Sequence, residues 1–204
     1  MTKELEPLTT SFYRRDPARV ARGLLGRYLV RRVRGQTLVL RIVETEAYLG
    51  EGDRASHAWT GRPTERTATL FRAGGCAYVY FVYGMHNMFN AVAGREGTGG
   101  AVLVRAGEPL SGVPTMRRLR GLASGRGDVE IASGPAKLCQ ALAIDRSFDG
   151  AALDGEKLRI CRGLRVDRKR VVVGPRVGVD YAGEAAAWPL RFALAANGHV
   201  SRPF

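Results

Sequence analysis

Between residues 76 and 106 the chain reads CAYVYFVY, a GMHN turn, FNAVA, a glycine-rich stretch from Gly94 to Gly100, and AVLVRA. Runs of β-branched and aromatic residues separated by turn chemistry form a meander of hairpins, and the rest of the chain must pack against that antiparallel sheet. A further strand is expected from Leu38 to Tyr48, where even-numbered positions Leu38, Leu40, Ile42, Glu44, Glu46 and Tyr48 share one face. Asp16-Pro17 opens a helix with Val20, Leu24 and Leu25 as its buried stripe, and Gly26 closes it. Two more helices are expected, one over about 113–123 and one starting at Ser133-Gly134-Pro135, with Leu138 and Leu142 inward. Residues 50 to 75 read as a long surface loop, of a length more often functional than idle. RVVVGPRVGV and PLRFAL supply short strands near the end. Without repeats or a low-complexity linker, residues 1–204 are expected to form a single mixed α+β domain.

Charge narrows the partner. Lys plus Arg is 32 against 19 for Asp plus Glu, a net +13, and 28 of the basic residues are Arg. That excess suits a polyanion, because each cation set against a phosphate releases condensed counterions. Residues 111–126 carry Arg117, Arg118, Arg120 and Arg126 without an acid, and residues 159–176 carry six Arg and one Lys against Asp167. Much of the excess is expected around the hairpin at Tyr83. No run reaches the 18 apolar residues of a membrane span, and the start, MTKELEPLTT, lacks the apolar core of a secretory signal. A cytoplasmic, nucleoid-associated location is expected in a bacterium, and a nuclear one in a eukaryote. Cys76, Cys139 and Cys161 form no CxxC pair, and His57, His86 and His199 no HExxH or zinc-deaminase pattern. With no P-loop and no strand-linked GxGxxG, neither a metal nor a nucleotide cofactor is expected.

Glu46 stands out because a carboxylate on an apolar strand face costs roughly 1–3 kcal/mol for even one unmet hydrogen bond. Either an arginine pairs with it, or it does chemistry. Glu44 points from the same side, so the two cannot flank a sugar from opposite sides as glycosidase acids do, and only one is expected to be catalytic. Tyr48 follows on the same face, Tyr78 and Tyr80 share a face of another strand, and Tyr83 borders the GMHN turn, exposed as a wedge between stacked bases would be. His57 and Asn90 are read either as structural polar groups or as part of this set. Together these parts meet the needs of base flipping.

The runs RIVETEAYLG at 41–50, His57, YVYFVYGMHNMFN at 78–90, VLVRAGEPL at 102–110, SGPAKLCQALAI at 133–144, and RVGV, AGE and PLRF near the end resemble the mammalian-type alkyladenine (3-methyladenine) DNA glycosylases. The resemblance spans about Leu8 to Leu194. It implies a mainly antiparallel curved sheet with a protruding DNA-inserting hairpin, and a base-excision repair enzyme. Such an enzyme flips an alkylated or deaminated purine from duplex DNA and hydrolyses its N-glycosidic bond. It further implies Glu46 as general base, Tyr48, His57 and Tyr80 as the cage for the base, and Asn90 as the group that crowds the amino group of guanine. Tyr83 is implied as the intercalating residue, with Met85 and His86 beside it on DNA, and Arg105 by the extruded nucleotide's backbone. His86 and Met88 depart from the side chains of mammalian relatives, so hairpin insertion is the least constrained element. Lys137 is read as a phosphate contact, which favours a monofunctional hydrolase, acting as a monomer, over a lyase. The rival is a non-catalytic binder of damaged or bent DNA.

Overall fold

The long strand over 36–48 organises the fold. The computed structural model describes residues 5–204, so the first four residues of the leader argument lie outside the described part. In chain order the elements are α1 (Thr10–Tyr13), α2 (Pro17–Leu24), β1 (Tyr28–Val33), β2 (Gln36–Tyr48), β3 (Ala77–Val82), β4 (His86–Val92) and β5 (Ala101–Ser111). They continue with α3 (Val113–Leu119), α4 (Val129–Ala132), α5 (Pro135–Ala141), β6 (Leu158–Cys161), β7 (Val171–Gly174) and β8 (Arg191–Leu194). The strands form one antiparallel sheet in the order β3-β4-β5-β2-β1-β6, and β7 and β8 branch from β2. Beside β2, β1 covers the first half and β8 the second, while β5 runs along the opposite edge. The α+β class and the β3-β4-β5 meander therefore hold. No helix among the described residues is long and apolar enough to cross a membrane.

Local chemistry explains the elements. The Asp16 carboxylate accepts the Arg19 N–H at 3.1 Å, capping α2, and Pro17 stands where its missing N–H goes unneeded. Val20 and Leu24 are fully buried against the sheet, each contributing about 1.5–3 kcal/mol. Strand β1 was not expected. It turns into β2 through Arg34 and Gly35, both at positive φ, a two-residue hairpin turn without the usual Asn-Gly signal. Other boundaries differ too. The β3–β4 turn falls at 83–85, so His86 and Asn87 belong to β4; α3 stops at Leu119; and 175–179 is irregular.

One expectation is overturned. The even-numbered face of β2 is not continuous, because its pairing with β5 slips between Ile42 and Glu44 and again between Glu44 and Thr45. Before this β-bulge Leu38, Leu40 and Ile42 enter the main core; beyond it Ala47 does, and Thr45 Oγ donates to the Ala21 carbonyl of α2 at 3.0 Å. Glu44, Glu46 and Tyr48 are thereby turned to the other side, the re-aiming that bulges perform next to sites.

The same division runs across the sheet. Ala77 and Val79 of β3, Phe89 and Ala91 of β4, and Val102 and Val104 of β5 belong to the core under the helices. Their alternate neighbours form the opposite face. Paired positions Tyr78, Asn90, Leu103, Glu46 and Arg191 make one row across five strands.

Candidate active site

On that opposite face lies a cavity of about 220 Å³, below the roughly 300 Å³ at which drug-sized pockets begin. It is sized for one flat heterocycle. Tyr48, His57, Tyr80, Tyr83, Asn90 and Arg105, all singled out in the sequence, line it together with Tyr78, Met88 and Leu103 from the strands. The His57 and Tyr80 rings stand 4.6 Å apart at 69°, and the Tyr78 and Tyr80 rings 5.5 Å apart at 32°. His57 Nδ1 and the Tyr78 hydroxyl share a 3.0 Å hydrogen bond that fixes the imidazole. Enclosure by these neighbours, and then the Arg66 cation, push the His57 pKa below its ordinary 6.5. Burial raises the Tyr78 hydroxyl to about 12. Asn90 Nδ2 donates to the Tyr78 carbonyl at 3.2 Å, pinning the amide to the wall.

Glu46 is fully buried, one layer behind the lining. Its three partners all line the cavity: the Tyr48 hydroxyl donates to Oε2 at 2.9 Å, the Val177 N–H donates to Oε1 at 2.8 Å, and Arg105 Nη1 lies 3.3 Å from Oε1. Burial, followed by the Glu46 charge, drives the Tyr48 pKa well above 10, so the phenol stays a donor. Glu46 thus pairs with an arginine that itself lines the cavity. Arg105 is itself buried between Glu44 and Glu46, with its guanidinium committed to carboxylates.

At the mouth, Tyr83 takes φ +54° and is 83% exposed, and Met85 is 65% exposed. A tyrosine in the left-handed region costs roughly 1–2 kcal/mol, which the hairpin bears to raise the ring from the sheet. His86 is half-buried and its Nδ1 has no hydrogen-bond partner, whereas Met88 faces the cavity. Lys137 lies in the first turn of α5, two residues past Pro135, which lines the cavity; Lys137 does not.

The sequence reading missed Val177, Gly178, Val179 and Tyr181, the last 73% exposed at the mouth. Glycines in GPRVGV signalled a loop there, and the strand reading overrode them. It also missed the pair that holds this loop. Arg176 and Asp53, both side chains fully buried, bond at 2.6 and 2.8 Å, with Arg176 also donating to the Ala47 and Ala185 carbonyls and lying 4.8 Å from the Tyr48 ring centre.

Arginines of both basic runs have acidic partners. Arg117 pairs with Asp128 at 2.8 Å and Arg126 with Glu130 at 2.6 Å, acids just past the basic run, while Arg176 is internal. These acids are already counted in the net +13, so the excess itself is unchanged. Among the described residues no three His, Cys, Asp or Glu side chains gather to hold a metal ion.

Comparison with known proteins agrees with this geometry. The family model described as Methylpurine-DNA glycosylase (MPG) matches residues 11–198. The chain is 49% identical to a protein of Methanocella arvoryzae over 187 residues, 91% of this chain and 90% of the relative. It is 49% identical to one of Anaeromyxobacter dehalogenans over 197 residues, 96% and 87% of the two chains, and 42% identical to one of Clostridium beijerinckii over 200 residues, 96% and 98%. All three relatives carry the provisional name 3-methyladenine DNA glycosylase.

Proposed function

The chain belongs to the methylpurine-DNA glycosylase family, and from that premise we propose that its cavity receives one alkylated purine turned out of duplex DNA while Glu46 directs water at the sugar. The protein is a base-excision repair DNA glycosylase, a hydrolase of N-glycosyl bonds acting on DNA with alkylated bases. The observation that carries the assignment of roles is the buried Glu46 carboxylate whose two hydrogen-bond donors, Tyr48 and the Val177 N–H, and ion-pair partner Arg105 all line an aromatic cavity.

A carboxylate offers about four lone-pair directions, so its two hydrogen-bond donors leave room for a water proton. As the water oxygen bonds to the anomeric carbon, the carbon–nitrogen bond breaks, the departing base keeps the electron pair, and Glu46 takes the proton. A base that is cationic while attached leaves neutral. Stacking between Tyr48, His57 and Tyr80 adds a cation–π contribution of about 0.5–2 kcal/mol that undamaged purines lack. Asn90, pinned on the cavity wall, is the group proposed to crowd guanine's amino group, and Tyr83 with Met85 and His86 is proposed to fill the gap in the duplex. Lys137 is proposed to hold a phosphate at the rim. The enzyme is proposed to act as a monomer. A DNA substrate supports work at the nucleoid in a bacterium or in the nucleus of a eukaryote.

The test is a duplex carrying a single methylated purine. Incubation is expected to release the free base and leave an alkali-labile abasic site, with no covalent adduct after borohydride. Bound but intact substrate would leave only a binder of damaged DNA, and a trapped adduct would make the enzyme a lyase.

His57 adds a pH signature. Its lowered pKa keeps the ring neutral near pH 7, and protonation as pH falls through that lowered value sets a cation beside the base. The ratio of 7-methylguanine release to hypoxanthine release is therefore expected to fall on the acid side of 6.5 in the wild type. In His57→Gln the ratio stays flat. Equal profiles in the two proteins would remove His57 from the cage.

A further inference from the structure

Behind the cavity wall four buried charges lie together: Glu44, Glu46, Arg105 and Arg191. The signs cancel, but the contacts are uneven. Glu44 Oε1 accepts from Arg105 Nε at 3.0 Å and from Arg191 Nε at 2.8 Å, and its Oε2 accepts the Ser201 N–H at 2.6 Å. Arg105 Nη2 reaches Ser201 Oγ at 3.3 Å. Of the two guanidiniums, Glu46 meets only Arg105, whose Nη1 lies 3.3 Å from Oε1. Arg191 is held in turn by the carbonyls of Arg202 and Pro203 at 2.5 and 3.3 Å, and by the Phe204 ring 4.0 Å from its guanidinium.

We propose that Glu44 is a positioning residue that holds the Arg105 cation off Glu46, leaving Glu46 free to accept the proton of the attacking water. The proposal rests on Glu46 being the base. A guanidinium seated squarely on a carboxylate makes strong charge-assisted hydrogen bonds, which occupy the oxygens that water needs and favour the charged form. Glu44 prevents this by taking Nε and, with Ser201, fixing the plane of the guanidinium. Without Glu44 the patch holds two guanidiniums against one carboxylate. Arg105 then turns to Glu46, and an uncompensated positive charge stands near the sugar carbon where positive charge develops during reaction.

The groups facing Glu46 are the Tyr48 hydroxyl on its own strand, Arg105 from β5, Arg191 at the paired position on β8, the Val177 N–H from the segment after β7, and Tyr80 from β3. Burial raises the pKa of both tyrosines, so neither titrates in the acid range.

The experiment is a pH series of single-turnover base release from the methylpurine duplex. Glu44→Gln is expected to lower the plateau by about 100-fold, the lower end of the loss seen when one preorganised electrostatic group is removed, and to move the acid limb down by about one pH unit. Arg191→Met leaves two carboxylates to one guanidinium and is expected to move the limb the opposite way, which covers the case of Glu44→Gln failing to fold. The charge-balanced double variant is expected to return the limb to its wild-type place. Affinity for undamaged duplex serves as the folded control. A lowered plateau with an unmoved limb in both single variants, while Glu46→Gln is inactive, overturns the role of Glu44 alone. Full activity of Glu46→Gln overturns the base assignment, and the proposal with it.

Discussion

Glu46→Gln is expected to slow single-turnover release of a methylated purine by about a thousandfold, within the 10²–10⁴ range for a general base. The substitution is nearly isosteric, and the amide oxygen still accepts from Tyr48 or Val177, so the cavity keeps its shape. What disappears is the acceptor for the water proton and the negative charge that faces the sugar as it turns cationic. Affinity for the damaged duplex should change little, because aromatic stacking and the hairpin do not pass through this carboxylate. Base release and gel-shift affinity on the same preparation separate the two quantities. Unchanged release would assign Glu46 to structure and leave the activity to another group. Equal loss of release and of binding would mean that the site had collapsed.

The largest stability effect is expected at a residue with no chemical role. Asp53→Asn leaves the fully buried Arg176 guanidinium without its counter-charge, and breaking such a pair costs about 3–5 kcal/mol. At about 2–4 °C per kcal/mol for a chain of this size, the melting temperature should fall by roughly 6–20 °C. The Asp53 carboxylate also accepts the N–H groups of Leu49 and Ala55, so the damage spreads along the loop that carries His57. Replacing both partners with apolar residues of similar volume removes the stranded charge. The double variant Asp53→Leu/Arg176→Met should therefore recover part of the loss. Calorimetry on the two variants beside the wild type decides the matter: Asp53→Asn as stable as wild type would mean that water reaches the pair.

The strand and hairpin side chains in and just behind the cavity were legible because their signals are local. Tyr78, Tyr80 and Asn90 follow from strand alternation, Tyr83 from its place at a turn, and Glu46 from the oddity of an acid in an apolar strand. Contributions that depend on pairing between distant segments were not. The bulge in β2 exists only in its register with β5, sixty residues on, and no pattern within 36–48 announces it. The Val177 contribution is a backbone N–H, which any residue but proline could supply. The neutralisation of Arg117 and Arg126 by Asp128 and Glu130 was hidden by drawing the basic segment to end just before those acids. The family resemblance supplied roles for individual residues but not the four-charge patch around Arg105.

The irregularity at Ile42–Thr45 makes β2 a strand with two phases, one setting the core and the other aiming the acids, and it takes one unpaired residue on each strand, Val43 on β2 and Arg105 on β5. The two slips cancel in register, because β2 advances from Ile42 to Thr45 while β5 advances equally from Gly107 to Val104; deleting Val43 alone would put the acid-bearing end of β2 out of step with β5. An alignment that slides a gap through this stretch matches residues on opposite sides of the sheet. Grafting ETEAY onto another scaffold requires the irregularity to travel with the motif.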